Sequence, residues 1–178
     1  KKLTSNKDLL KEDKILVVRE QGIGDEILYA SMYADMLKKY PNTYFESDKR
    51  LITLFERSLN TKSEKIFFPF GTFTQKEKNL SVFKKVIFAG SLGRLFRNDI
   101  SDFSGTSFLN SDSLSITKIQ KILHDLGKEK KIGISWRSQK TRYGEDKSKN
   151  LKELKPIFKI PNVKFINLQY GETLNELK

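Results

Sequence analysis

The sequence predicts an α/β fold: a Rossmann-like parallel sheet flanked by helices, then the first β-α-β of a second domain of the same kind. Three observations lead there. Strand-like and helix-like patterns alternate along the chain, which favours parallel strands joined by right-handed crossovers. An apolar run, Ile15–Val18, passes through a glycine turn straight into a helix-patterned stretch. The alternation restarts after a charged run at residues 128–131.

The elements follow in order. Ile15–Arg19 reads as a strand, and a helix runs from about Gly24 to Lys39 with Ile27, Ala30, Ala34 and Leu37 at helical spacing, punctuated by Pro41. Thr43–Glu46 is a short strand and Arg50–Ser58 a helix with Leu51, Leu54 and Phe55 on one face. Lys65–Phe68 is the third strand, and Val82–Ala89 holds the fourth, ending at Gly90. Ser91–Asp112 is dense in Ser, Gly and Asp and reads as loop. Ile116, Ile119, Ile122, Leu123 and Leu126 mark an amphipathic helix closed by Gly127. Lys131–Trp136 is a buried-type strand, Arg137–Asn150 a polar stretch, Leu151–Phe158 a helix and Val163–Leu168 a last strand. The domain boundary is drawn near residue 128, giving domains 1–128 and 129–178. Two strands and a helix cannot enclose a core of their own, so the second domain is expected to be incomplete and the chain truncated.

Composition narrows the chemistry. With 37% hydrophobic residues the chain can build a core, and no apolar run approaches the roughly eighteen residues that span a bilayer. The charged N-terminus lacks the apolar segment of a signal peptide, so a cytoplasmic location is the simplest expectation. With no cysteine, disulfides, thiolate metal sites and thiol catalysis are excluded. The single His124, off the aliphatic stripe of its helix, reads as structural or surface, and no metal site is expected. The formal charge of +12 would draw phosphate-bearing substrates, nucleic acid or an anionic membrane surface, although lysines spread along the whole chain also describe an ordinary solvated surface. Nucleic acid is disfavoured because the aromatics occupy core-like positions and no recognition motif is present.

Two strand-ended loops carry the candidate chemistry. In the first, VREQGIGDE, Gly22 and Gly24 precede Asp25 at a helix start, where free N–H groups suit anionic ligands. The third glycine of a dinucleotide fingerprint is replaced by Ile27, and no Walker loop occurs. Asp25 reads either as a helix cap or as a general base facing a cleft, its basicity lowered by the helix dipole. Glu20 and Glu26 rank below it, Glu26 as an ordinary first-turn acid. The second loop, Gly133-Ile134-Ser135-Trp136-Arg137, is followed by Lys147, Ser148 and Lys149. Its cations and hydroxyls suit a diphosphate, or form a solvated loop with Trp136 as a core plug. Ser91-Leu92-Gly93-Arg94, after the fourth strand, lines the same cleft or is an ordinary loop. No D-x-D pair occurs, which disfavours metal-dependent sugar transfer.

The stretches REQGIGDEILYASMYADMLKKY, ESDKRLITLFERS, SLGRLF and KIGISWRSQKTRYGEDKSKNLKELKPIF through VKFINLQYGE together resemble the family 9 glycosyltransferases, the heptosyltransferase-like group. They look more specifically like the sugar-transferase-like domains found downstream of tetratricopeptide repeats in bacterial proteins. The resemblance implies a two-domain GT-B enzyme, its N-terminal half taking a glycan or lipid-linked acceptor and its C-terminal half a nucleotide-sugar donor, with no cofactor. It implies Asp25 as the catalytic base and Ser135, Arg137 and Lys149 on the donor phosphates, with Gly22, Gly24, Ser91 and Trp136 lining the cleft. The repeats upstream and the later glycine-rich donor loop are missing from this chain, so the fragment alone is expected to be inactive. The alternative is a non-catalytic module of the same fold that binds glycans or partner proteins.

Overall fold

The computed structural model describes residues 9–61, 63–75, 80–138 and 144–177. The chain divides into two compact units, Lys1–Asp112 and Ser113–Lys178. The helix preceding the charged run at 128–131 therefore groups with the second unit.

The first unit is a four-stranded, wholly parallel sheet flanked by helices. Its strands are β1 (Ile15–Val18), β2 (Thr43–Ser47), β3 (Phe67–Pro69) and β4 (Lys85–Phe88), in the order β3-β2-β1-β4. Ile15 of β1 stands opposite Thr43 of β2 on one side and Lys85 of β4 on the other. Paired on both edges and covered on both faces, all four residues of β1 are buried, which is why the strand is uniformly apolar. Ile15 and Val17 face the larger core with Tyr33, Met36, Phe45, Phe55 and Phe67, whereas Leu16 and Val18 face a smaller one with Phe83. The Tyr33 ring lies 4.3 Å from that of Phe45, centroid to centroid, and meets Phe55 edge-on at 5.7 Å.

The helix expected from Gly24 to Lys39 is two helices, α1 (Ile23–Ala30) and α2 (Tyr33–Lys39). The break has a local cause. Ser31 Oγ donates to the Leu28 carbonyl at 2.7 Å, and the Ser31 and Met32 N–H groups bond three residues back, tightening the turn. The break re-phases the second half, so that Tyr33 and Met36 enter the core while Ala34, read as part of the apolar stripe, is exposed. Helix α3 (Ile52–Ser58) buries Phe55 as expected. The third strand begins two residues later than the sequence suggests. Ser91–Asp112 is not all loop: 3-10 turns at Ala89–Leu92 and Ile100–Asp102 flank a helical turn, α4 (Gly93–Phe96).

The second unit comprises α5 (Ser113–Asp125), β5 (Lys130–Ile134), a 3-10 turn Leu151–Leu154 running into α6 (Lys155–Phe158), and β6 (Val163–Asn167). β5 and β6 pair in parallel, Lys130 opposite Val163 and Ile134 opposite Asn167. Gly127, at φ 93°, terminates α5 in the left-handed conformation its position requires. α5 carries the expected apolar stripe, but none of its residues is buried. The helix expected over 151–158 starts as a 3-10 turn capped by Asn150 and becomes α-helical at Lys155, with Pro156 next, where its missing N–H is tolerated in a first turn. Part of the expected polar stretch, residues 139–143, lies outside the described residues. No helix among the described residues is long and apolar enough to cross a membrane.

A Cβ at Gly133 would stand 2.3 Å from Leu168 Cδ1, the far end of an exposed side chain that can turn aside. Gly133→Ala is therefore expected to change the stability of the second unit by no more than about 1 kcal/mol, the strand's gain from losing a glycine set against the leucine's displacement. Thermal unfolding followed by the fluorescence of Trp136, the one tryptophan, measures this; a midpoint lowered by more than about 10 °C would show that the leucine cannot move aside.

Candidate functional site

The first candidate loop leaves β1 at Arg19, whose N–H still donates to the Glu46 carbonyl at 3.1 Å. The chain then reverses through Gln21, held at φ 58°, and extended Gly22 becomes the N-cap of α1. Asp25 sits in the first turn of α1, half-buried, and its Oδ2 accepts the Gly22 N–H at 3.0 Å. This is the reciprocal half of a capping box, and it sets the carboxylate against the positive end of the helix. Its other oxygen has no hydrogen-bond partner among the described residues. A Cβ built on Gly24 meets nothing within 4 Å, so the helix start stays open beside the carboxylate.

Glu26 departs from the ordinary first-turn acid that the sequence suggests. It is fully buried; Oε1 accepts the Asp48 N–H at 2.9 Å, and Oε2 lies 2.7 Å from Arg19 Nε in an ion-pair contact. Burial raises its pKa, outweighing the hydrogen bond from Asp48 and the Arg19 charge. The acid therefore joins the ends of β1 and β2 to α1. Two further glutamates act alike. Glu20 Oε2 accepts the Gly90 N–H at 2.8 Å, tying the β1 exit to the β4 exit. Buried Glu46 accepts from the Phe73 and Thr74 N–H groups and from Thr74 Oγ1. Ser91, half-buried, belongs to the Ala89–Leu92 turn that packs against α1.

A cavity of about 460 Å³ opens at this carboxyl edge, lined by Arg19, Asp48, Lys49, Arg50, Pro69 and Phe70. The Arg50 guanidinium donates two hydrogen bonds to Asp48, each 2.9 Å, and its backbone N–H a third at 3.0 Å, and these hold the Asp48 carboxyl well below the usual range. Asp25 does not line this cavity.

In the second unit, a cavity of about 380 Å³ lies where β5 ends, and Ser135, Trp136, Arg137, Lys147 and Lys149 contribute to its wall. The structure thus brings all four second-loop candidates together, with Lys147 beside them. Ser135 Oγ and the Trp136 and Arg137 N–H groups donate to Gln169 Oε1, and the Lys149 N–H donates to the Trp136 carbonyl at 2.7 Å. Ser148 Oγ accepts the Ser138 N–H at 2.9 Å, closing the loop onto its other strand of chain. The Arg137 guanidinium is engaged by Glu176 at 2.8 Å and by the Glu172 carbonyl. Trp136, a buried plug as one reading had it, also donates from Nε1 to Glu176 at 2.6 Å. Those bonds from Trp136 and Arg137 hold the Glu176 carboxyl below its ordinary pKa. Lys149 is exposed and stands 3.7 Å from Glu153. His124 is exposed on α5, beside Asp125.

Sequence reasoning passed over Glu26, Glu46, Gln169 and Glu176 as organising residues. Glu26 had a signal: it stands three residues after Ile23 and four before Ala30, inside the buried stripe of α1. Gln169 and Glu176 had none, because their partners lie more than thirty residues away.

No protein-family model matches the chain, and no solved structure matches it significantly. Among curated proteins it is similar to protein FlbA of Caulobacter vibrioides, at 27% identity over 179 residues, covering 94% of this chain and 30% of that protein. The chain thus spans less than a third of the length of the relative it matches.

Replacing Glu26 with alanine leaves Arg19 its longer 3.6 Å contact with Asp48 but removes the acceptor of the Asp48 N–H, with an expected loss of about 1–3 kcal/mol in denaturant unfolding. The raised pKa adds a pH signature. The native state keeps a proton the unfolded chain releases near 4.5, so this contribution to stability is complete below 4.5 and falls as pH rises through the native value. Glu26→Gln is expected to remove that part of the pH slope; an unaltered slope would mean that Glu26 titrates alike in the native and unfolded chains.

Proposed function

We propose that this chain is part of an inverting, metal-independent glycosyltransferase of the GT-B type, resembling family 9, that moves a sugar from a nucleotide-sugar donor to a hydroxyl of a glycan or lipid-linked acceptor. The observation that carries the reading is the second-unit cavity: a loop leaving a parallel strand gathers Ser135, Arg137, Lys147 and Lys149 around one concavity. Open α/β sheets bind ligands at the carboxyl ends of their strands, and clustered cations with convergent donors suit a diphosphate.

In this reading Asp25 takes the proton of the acceptor hydroxyl as the oxygen attacks the anomeric carbon. The carbon–oxygen bond to the nucleotide diphosphate breaks on the opposite face, which inverts the configuration. The open edge over Gly24 and the unpartnered oxygen of Asp25 support that role. Because a helix N-terminus favours the ionised carboxylate, the proton transfer is late, from a hydroxyl already forming its new bond. Lys149, with Ser135 and Arg137, stabilises the charge that collects on the leaving diphosphate.

The second reading is a non-catalytic module of the same fold. It is favoured by one observation: Arg137 is already engaged by Glu176 and Glu172.

Asp25→Asn in the full-length protein separates the two. Loss of a general base is expected to lower sugar transfer by about 10²–10⁴-fold, whereas loss of a capping contact costs stability of only about 0.5–2 kcal/mol. Transfer is read by mass spectrometry of acceptor incubated with nucleotide sugars. A rate within a few-fold of wild type would leave Asp25 as a cap alone.

A further inference from the structure

Three donors from consecutive residues converge on one oxygen. Ser135 Oγ, the Trp136 N–H and the Arg137 N–H lie 3.0, 3.0 and 2.9 Å from Gln169 Oε1. The same carboxamide donates from Nε2 to the carbonyls of Arg137 (3.0 Å) and Tyr170 (3.1 Å). Its hydrogen-bonding capacity is therefore filled on both sides, and the side chain is buried. The orientation is unambiguous, since a flipped amide would face its N–H groups toward three donors and its oxygen toward two carbonyls.

The position of Gln169 follows from the sheet. The Leu168 N–H donates to the Ile134 carbonyl at 2.9 Å, one step past the last strand pair, which brings the next residue level with the loop leaving β5. Asn167 Oδ1 fixes the Gln169 N–H at 2.8 Å, so the residue is anchored at its backbone as well.

We propose that Gln169 is the positioning residue of the β5 exit loop: a single buried carboxamide replaces the strand partners that the Trp136 and Arg137 N–H groups lose, takes the Ser135 hydroxyl as a third donor, and so fixes the wall of the cavity. Neutrality is part of the role. Its oxygen collects three donors without placing a negative charge beside a site built for anions. A glutamate would collect the same donors, yet it would repel an anion and could no longer donate to the two carbonyls. The anion part of this inference rests on the glycosyltransferase reading; the loop part does not.

The test uses the intact chain with Gln169→Leu and Gln169→Glu, read by amide hydrogen exchange and by calorimetric titration with inorganic pyrophosphate. Leucine fills the space without hydrogen bonds, and exchange at the Trp136 and Arg137 amides is expected to speed up about tenfold or more, with the β5–β6 ladder still protected. Glutamate keeps the acceptor, so protection at those amides is retained, while pyrophosphate affinity falls about tenfold or more in both variants. Wild-type protection in Gln169→Leu would overturn the proposal. If that variant loses the ladder itself, Gln169→Glu decides: retained protection supports the role, and its loss overturns it. Absence of pyrophosphate binding in the wild type, with the exchange pattern as expected, would remove the donor-site reading and leave the loop assignment standing.

Discussion

A parallel sheet satisfies its backbone only while the strands run side by side; where the chain turns away, N–H groups lose their partners in semi-buried surroundings. In this protein, side-chain oxygens take over at those points. Glu26 receives the Asp48 N–H after β2, Glu46 receives Phe73 and Thr74 after β3, and Glu20 receives Gly90 after β4. In the second unit Gln169 does the same for Trp136 and Arg137 after β5. Each acceptor comes from a different element than the loop it holds, so each loop is fixed to the scaffold and not merely to itself. The candidate residues stand on loops made rigid in this way.

The choice of acceptor differs between the two edges, and charge explains the difference. At the first edge the acceptors are carboxylates; Arg19 pairs with Glu26 and, at 3.6 Å, with Asp48, Arg50 pairs with Asp48, and Arg19 offsets part of the cost of burying Glu26. At the second edge the acceptor is a neutral amide, and the Glu176 carboxylate is engaged with Trp136 and Arg137. Lys147 and Lys149 then face the cavity as its exposed cations. Lys149 also stands 3.7 Å from Glu153, an exposed pair that solvent screens, so both ammonium groups keep much of their field at this edge.

Much of this architecture was legible in the residues. The run Ile15–Val18 announces a doubly covered strand, and the two glycine-bearing loops stand where the sequence places them, at the ends of β1 and β5. What escaped has physical causes. The split between α1 and α2 turns on one hydroxyl competing for the Leu28 carbonyl, which periodicity ignores. Asp25 and Glu26 are adjacent acids in one helical turn, yet about 100° of rotation sends one to the rim and the other into the interior. Gln169 sits in a motif quoted from the sequence, but its role depends on a strand register that no local pattern encodes.

The most direct measurement is residue-resolved amide hydrogen exchange on the unmodified chain. If side-chain acceptors hold the strand exits, the amides of Asp48, Phe73, Thr74, Gly90, Trp136 and Arg137 exchange about as slowly as those of the neighbouring ladders, although none belongs to a strand pair. Exchange at these six positions as fast as in open loops, beside well-protected strands, would contradict the account.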